Sequence, residues 1–248
     1  SVGVIVFSKK TVEVAVTSVN AEHSEIHEGI EKPDIVENSS INEKELDIDK
    51  ETTEEKDNTI TTNNFNSQEF IKSIKNIYNG EEGKRVFLTF DDGPTKEVTP
   101  HILDTLKKYN VKATFFVLGN RVEQNPDLVK RAYNEGHYIA NHSYSHKYSK
   151  IYKDSDSVLA EYNKTENVIK KALNKEDYSS HLFRFPGGSH GGQYEKIKKE
   201  ARKKMNESGI AFLDWSALTF DAEGAKTTED ILKNLKNTMN GWNNVVVL

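Results

Sequence analysis

Two adjacent carboxylates and two closely spaced imidazoles are the side chains of this sequence best suited to chemistry. Asp91 and Asp92 emerge where the apolar run RVFLTF, residues 85–90, breaks into Gly93 and Pro94. Neighbouring residues of a regular strand face opposite ways, so a bend at Gly-Pro is expected to let one carboxylate bind a metal while the other acts as a base. An Asp-Asp turn cap is an equal reading of the pair taken alone, because Asp bonds its own backbone in turns. His142 and His146 follow the run HYIAN at i,i+4 spacing, expected to set both rings on one side of a helical turn and to suit chelation. His23 and His27 share that spacing in a stretch with nothing to hold them rigid, and their spacing is assigned to chance.

Two imidazoles and one carboxylate leave coordination positions open for water and substrate, the mark of a catalytic metal site, and zinc suits such a donor set best. A bound ion of this kind lowers the pKa of water towards about 7 and polarises a carbonyl. Asp91 is then the candidate base. Further along, RFPGGSHGG begins at Arg184 and closes another apolar run. Arg184 can pair with Asp91 and keep it ionised, and the Gly187 N–H can help to hold an oxyanion; a glycine loop with a solvated Arg is the plainer alternative. A fourth cluster, DWSALTFDA, carries Trp215 and Asp221. Trp215 reads as core more readily than as a sugar platform.

Other classes fit less well. A facial triad of two His and one carboxylate also serves non-haem iron oxygenases, but that use leaves Asp91 without a task. Paired glycosidase acids stand about 5–9.5 Å apart across a bond and need no histidine pair.

The elements that must position these residues alternate. Apolar runs at 85–90, 112–119, 137–141, 181–185, 210–215 and 244–248 read as strands. Amphipathic stretches at 99–109, 126–135, 155–173, 194–208 and 228–239 read as helices. This order implies an α/β fold with a parallel, barrel-like sheet and its chemistry at the C-terminal strand ends. The four clusters fall there. Residues 20–66, rich in Glu, Asp, Lys, Asn and Thr with isolated Ile and Val, read as a solvated acidic spacer that buries too little apolar surface to order itself. The chain is accordingly divided into a largely disordered tail at 1–66 and a catalytic region at 67–248.

Composition removes further options. A formal charge of -5 gives no basic footprint for nucleic acid. With no cysteine, the chain has no disulfide framework and no thiolate chemistry. The run Val2–Phe7 is far short of the roughly 20 residues of a membrane span; it reads as a short strand or terminus, or as the remnant of a signal or anchor.

Taken together, LTFDDGP, VKATFFVLG, HSYSH, RFPGG and DWSALTFDA, in this order over residues 86–248, resemble the polysaccharide deacetylases of carbohydrate esterase family four, the relatives of the nodulation-factor chitooligosaccharide deacetylase. The likeness is strongest to bacterial peptidoglycan N-acetylglucosamine deacetylases. The resemblance implies a distorted (β/α) barrel and a metal-dependent hydrolase that removes N-acetyl groups from a GlcNAc polymer, peptidoglycan first. Chitin oligomers, poly-N-acetylglucosamine and acetyl-xylan are alternatives, as is a carbohydrate-binding relative without activity.

It further implies Asp91 as general base, with Asp92, His142 and His146 holding Zn2+, or Co2+ or another divalent ion. Arg184 would tether Asp91, Pro186 and Gly187 would line the groove, and Asp221 would orient a catalytic His. A monomer at the cell surface or outside the cell, secreted or tethered through an N-terminal membrane segment preceding this chain, is expected. Two departures stand out. Ala222 occupies a position where the family often has an aromatic, and the family's general-acid His follows a strand like NVVVL, so the chain is expected to continue past Leu248. His181 and His190 flank the third cluster, but nothing in their spacing makes them acids.

Overall fold

The computed structural model describes residues 2–7, 14–19, 65–79, 84–225, 227–239, 241 and 243–248. Six parallel strands carry the architecture: β3 (Lys84–Asp91), β4 (Thr114–Val117), β5 (Tyr138–Asn141), β6 (Leu182–Phe183), β7 (Ala211–Phe212) and β8 (Asn244–Val247). Their order is β8-β3-β4-β5-β6-β7, and the chain beyond β7 meets β8 again through a single bridge between Ala217 and Val247. That bridge curls the sheet into an irregular barrel, as expected for this resemblance.

The expected strands and helices recur within a few residues of their anticipated ends. α2 (Thr99–Lys108), α4 (Pro126–Asn134), α6 (Ser155–Leu173), α7 (Glu195–Glu207) and α8 (Thr228–Thr238) are the anticipated helices. Asp154 caps α6 by accepting from the Ser157 N–H, and Asn174 ends it in a left-handed conformation. Four short helical elements were not foreseen: α1 (Ser67–Lys75), α3 (Gly119–Gln124), α5 (Tyr148–Ile151) and a 3-10 turn at Asp221–Glu223. Three of them are under two turns long and leave almost no periodic trace. α1 is longer, and its Phe70, Ile71 and Ile74 pack with Phe87, Phe116, Leu182 and Leu213 of the barrel interior.

Every residue of β4 is buried, which explains why its sequence does not alternate: Phe116 faces the barrel interior while Phe115 and Val117 pack against α2, α4 and α6. Near the other end of the chain, β1 (Val2–Phe7) and β2 (Val14–Val19) pair as antiparallel strands, and β1 also pairs with β3. Val2–Phe7 takes the short-strand form, one of the readings its sequence allowed, in keeping with the β preference of Val-rich runs. The acidic stretch, with His23 and His27, lies outside the described residues.

His137, just before β5, is buried, and its Nδ1 accepts the Ala113 N–H at 3.3 Å. Burial, and then Lys112, push its pKa down to about 4, so the folded ring is neutral. The unfolded chain binds a proton near pH 6.5 that the folded one refuses, so this ring stabilises the fold above that pH and the contribution is lost as pH falls towards 4. Urea unfolding should show lower stability at pH 5 than at pH 7, and His137→Asn should remove part of that slope; a slope unchanged by the substitution would contradict the assignment.

Candidate metal centre

At the end of β3 the backbone of Asp92 turns left-handed, with φ at 65°. The bend expected from Gly-Pro thus begins one residue earlier, and it swings the second carboxylate to the same side as the first. Both reach one imidazole: His142 Nε2 lies 3.7 Å from Asp91 Oδ2 and 3.7 Å from Asp92 Oδ1. His146 Nε2 lies 3.5 Å from Asp92 Oδ1. Ligand atoms on a tetrahedral ion with bonds of about 2.1 Å stand about 3.4 Å apart, so these separations fit one cation.

Two further observations test the fit. Asp92 Oδ1 is buried and has no hydrogen-bond partner among the described residues, a costly state for a carboxylate oxygen unless something else pairs with it. His142 Nδ1–H donates to the Arg184 carbonyl at 2.7 Å, which fixes the tautomer and turns the Nε2 lone pair towards the carboxylates. Burial lowers the pKa of His142 against the opposing pull of Asp91 and Asp92, keeping the ring neutral as ligation requires. Asp92, His142 and His146 form a group whose ligand atoms all lie within 4.8 Å of one another.

The histidine spacing arises differently from expectation. Residues 142–147 form no helical turn; Ser143 and His146 are both left-handed, with φ at 76° and 53°. An i,i+4 pair meets on a helix by periodicity, whereas here the loop doubles back so that the two rings stand 5.2 Å apart.

Arg184 is fully buried, not solvated. Its Nη1 donates to Asp91 Oδ1 at 2.8 Å and to Thr89 Oγ1 at 2.7 Å, Nε to the Leu213 carbonyl at 3.0 Å, and Nη2 to the Asp214 carbonyl at 3.2 Å. Its guanidinium lies 4.0 Å over the Phe116 ring. One Asp91 oxygen is thus held while the other faces the cluster, able to accept a proton.

The turn after Arg184 is held by its carbonyls. Tyr152 Oη donates to Pro186 O at 2.6 Å, the buried Lys198 Nζ to Gly187 O at 3.3 Å, and Arg202 to Ser189 O. Ser189 N–H and its hydroxyl bond the Asp214 carboxylate at 2.9 and 2.6 Å. No protein acceptor among the described residues takes the Gly187 N–H, leaving it available for an anionic oxygen. The Tyr148 hydroxyl fills the space a Gly187 Cβ would need, and the exposed Tyr148 ring stands 5.9 Å from that of His146.

Other expected residues lie further out. Trp215 packs partly against the core and sits 5.7 Å from the Arg184 guanidinium. Asp221 is exposed and accepts only from the Thr219 hydroxyl among the described residues; nothing links it to the cluster except Thr219, which bonds Leu248 at the end of β8. His181 stacks on Phe65, and His190 bonds Ser189. Thr89, Asp214 and Lys198 were missed. Thr89 left a signal, standing two residues before Asp91 on the same strand face, and Asp214 opens the DWSALTFDA cluster.

The profile of the family described as polysaccharide deacetylase matches residues 78–211. The chain belongs to the polysaccharide deacetylase family. Members of this family are metal-dependent, and the Asp-His-His group is present here. A peptidoglycan-N-acetylglucosamine deacetylase of Bacillus cereus is 37% identical over 175 residues, 67% of this chain and 61% of that protein. The peptidoglycan-N-acetylglucosamine deacetylase PgdA of Listeria monocytogenes is 38% identical over 148 residues, 60% of this chain but 29% of that protein. This chain therefore spans less than two thirds of either relative's length. The solved structure of a Streptococcus mutans CE4 esterase superposes with a TM-score of 0.63 at 31% identity, covering 74% of this chain and 78% of that one.

Breaking a buried pair leaves an uncompensated charge. Arg184→Met should lower the unfolding free energy by about 3–5 kcal/mol, with part regained in the Asp91→Asn, Arg184→Met double variant. A loss below about 1 kcal/mol in urea unfolding, the level of a surface pair, would contradict the role of Arg184 as the buried anchor.

Proposed function

We propose that this polysaccharide deacetylase is a metal-dependent hydrolase that removes N-acetyl groups from GlcNAc residues of peptidoglycan. The observation that carries the reading is the division of labour between consecutive carboxylates: Asp92 offers an unpaired buried oxygen beside two histidines, while Asp91 is anchored by Arg184 and keeps one oxygen free. The GlcNAc polymer as substrate is supported by the names of the Bacillus and Listeria relatives.

Asp92, His142 and His146 would hold the ion, with zinc favoured by the mixed nitrogen and oxygen donor set. When bound there, such an ion supplies polarisation of the acetamide carbonyl and acidification of water. Asp91 Oδ2 accepts the proton of the attacking water. Arg184, fully buried, keeps Asp91 aimed through its Nη1 bond to Oδ1. The Gly187 N–H, set by Tyr152 and Lys198, takes the oxygen that becomes negative as water adds to the carbonyl. Collapse breaks the C–N bond, giving acetate and an amine. Of the described side chains at the cluster, Asp91 is the carboxylic acid that can return its proton to that amine. Asp221 stands apart from these steps, and a role for it in orienting a His remains part of this proposal through the Thr219 link to β8. Tyr148 and Trp215 flank Gly187 and Gly188 and form the aromatic rims of the groove.

A surface location fits this substrate. No helix among the described residues is long and apolar enough to cross a membrane.

Purified protein loaded with Zn2+ should release acetate from peptidoglycan sacculi faster than from chitin oligomers or acetyl-xylan, and chelation should stop it until metal is restored. Asp91→Asn should lower the rate by about 10²–10⁴-fold at unchanged zinc content. Acetate release that persists in Asp91→Asn would refute the assigned base, and polymer binding without acetate from the wild-type protein would make this a binding relative.

A further inference from the structure

The loop between His142 and His146 is irregular, and its shape is imposed from α6. Glu161 Oε2 accepts two consecutive backbone amides, from Tyr144 at 2.9 Å and Ser145 at 2.7 Å. Bonds to an ionised acceptor are shorter and stronger than neutral ones. The other amides of the loop are tied by β4, by β5 or by the loop itself: His142 N–H to Val117 O, Ser143 N–H to Asn141 Oδ1, and His146 N–H to Ser143 Oγ. Two loop carbonyls are also held, Ser143 O by Gly119 N–H and Tyr144 O by Asn120 N–H. Among the described residues, Glu161 is thus the one charged side chain that bonds the backbone between the two imidazoles.

The two histidines depend on it unequally. The His142 ring is buried and pinned through Nδ1 to Arg184 O. The side chain of His146 is 34% exposed, and no hydrogen bond to its ring is seen among the described residues. Its position follows from the backbone that precedes it, which is left-handed at His146 itself, and that backbone is what Glu161 grips.

We propose that Glu161 is a positioning residue of the metal centre, whose carboxylate sets the 144–145 backbone so that His146 meets the ion already faced by Asp92 and His142. This rests on the reading that those three residues hold a metal. Removing the acceptor frees two amides to turn towards water and lets the exposed imidazole drift, while the buried half of the site stays in place. Loss of a group that orients a ligand typically weakens metal binding by about 10–100-fold.

The test is Zn2+ affinity, measured by competition with a chelating indicator on the full chain, for the wild-type protein and for Glu161→Gln, Glu161→Ala and Glu161→Asp. Gln retains an oxygen that accepts both amides and should bind zinc within about threefold of wild type. Ala should lose about 10–100-fold. Asp, one methylene shorter, should lose about tenfold and covers the case in which the Ala variant does not fold, its own fold being checked by circular dichroism. Wild-type affinity in folded Asp or Ala variants, or a loss in Gln equal to that in Ala, overturns the proposal. Absence of zinc binding by the wild-type protein instead overturns the metal reading beneath it.

Discussion

A guanidinium with no exposed surface lies under the candidate metal centre, and most of the geometry above it follows from that placement. Arg184 uses four hydrogen bonds to reach Asp91 and Thr89 of β3 and the carbonyls of Leu213 and Asp214 just after β7. Its own carbonyl fixes the ring of His142, after β5. Burying such a charge costs several kcal/mol unless the partners are near ideal. Here the barrel supplies them from strands that end together. Even Thr89 is held, since its hydroxyl passes the interaction on to Val247 O of β8 at 2.6 Å.

In the proposed reading, one buried cation organises two roles that need opposite things from carboxylates. As the proposed base, Asp91 would need one oxygen unbonded, and Arg184 meets that need by occupying only the other. Asp92 must offer an oxygen with no other partner, and the left-handed turn at Asp92 carries it past the reach of Arg184. A regular strand would have sent the two side chains to opposite faces. The strain of a non-glycine residue in that region is of the kind found where function over-determines the backbone.

Much of this was legible in the sequence, and the gaps have physical causes. Alternating apolar and amphipathic runs located the barrel strands and the five longer helices, because burial on both sheet faces and on one helix face leaves strong periodic signals. Asp91, Asp92, His142, His146 and Arg184 could be named because each lies at a strand end, where a parallel barrel gathers its chemistry. The local geometry that joins them could not be read. The spacing of His142 and His146 suggested a helical turn, yet left-handed Ser143 and His146 make a loop, and no sequence period encodes such a conformation. Glu161 and Lys198 act through backbone groups, for which any residue serves as partner, so no motif betrays them, and Asp214 opens the DWSALTFDA run without its role being legible there. Asp221 was read from a motif, and its exposed 3-10 turn leaves it outside the cluster.

The account turns on Asp92 being the metal ligand and Asp91 the free base. Anomalous scattering from crystals grown with Zn2+ tests this most directly. It should give one strong peak at about 2.0–2.2 Å from Asp92 Oδ1, His142 Nε2 and His146 Nε2, with Asp91 still on Arg184 and outside bonding distance. A peak bonded to Asp91 in place of Asp92, or none between the two histidines, would contradict it.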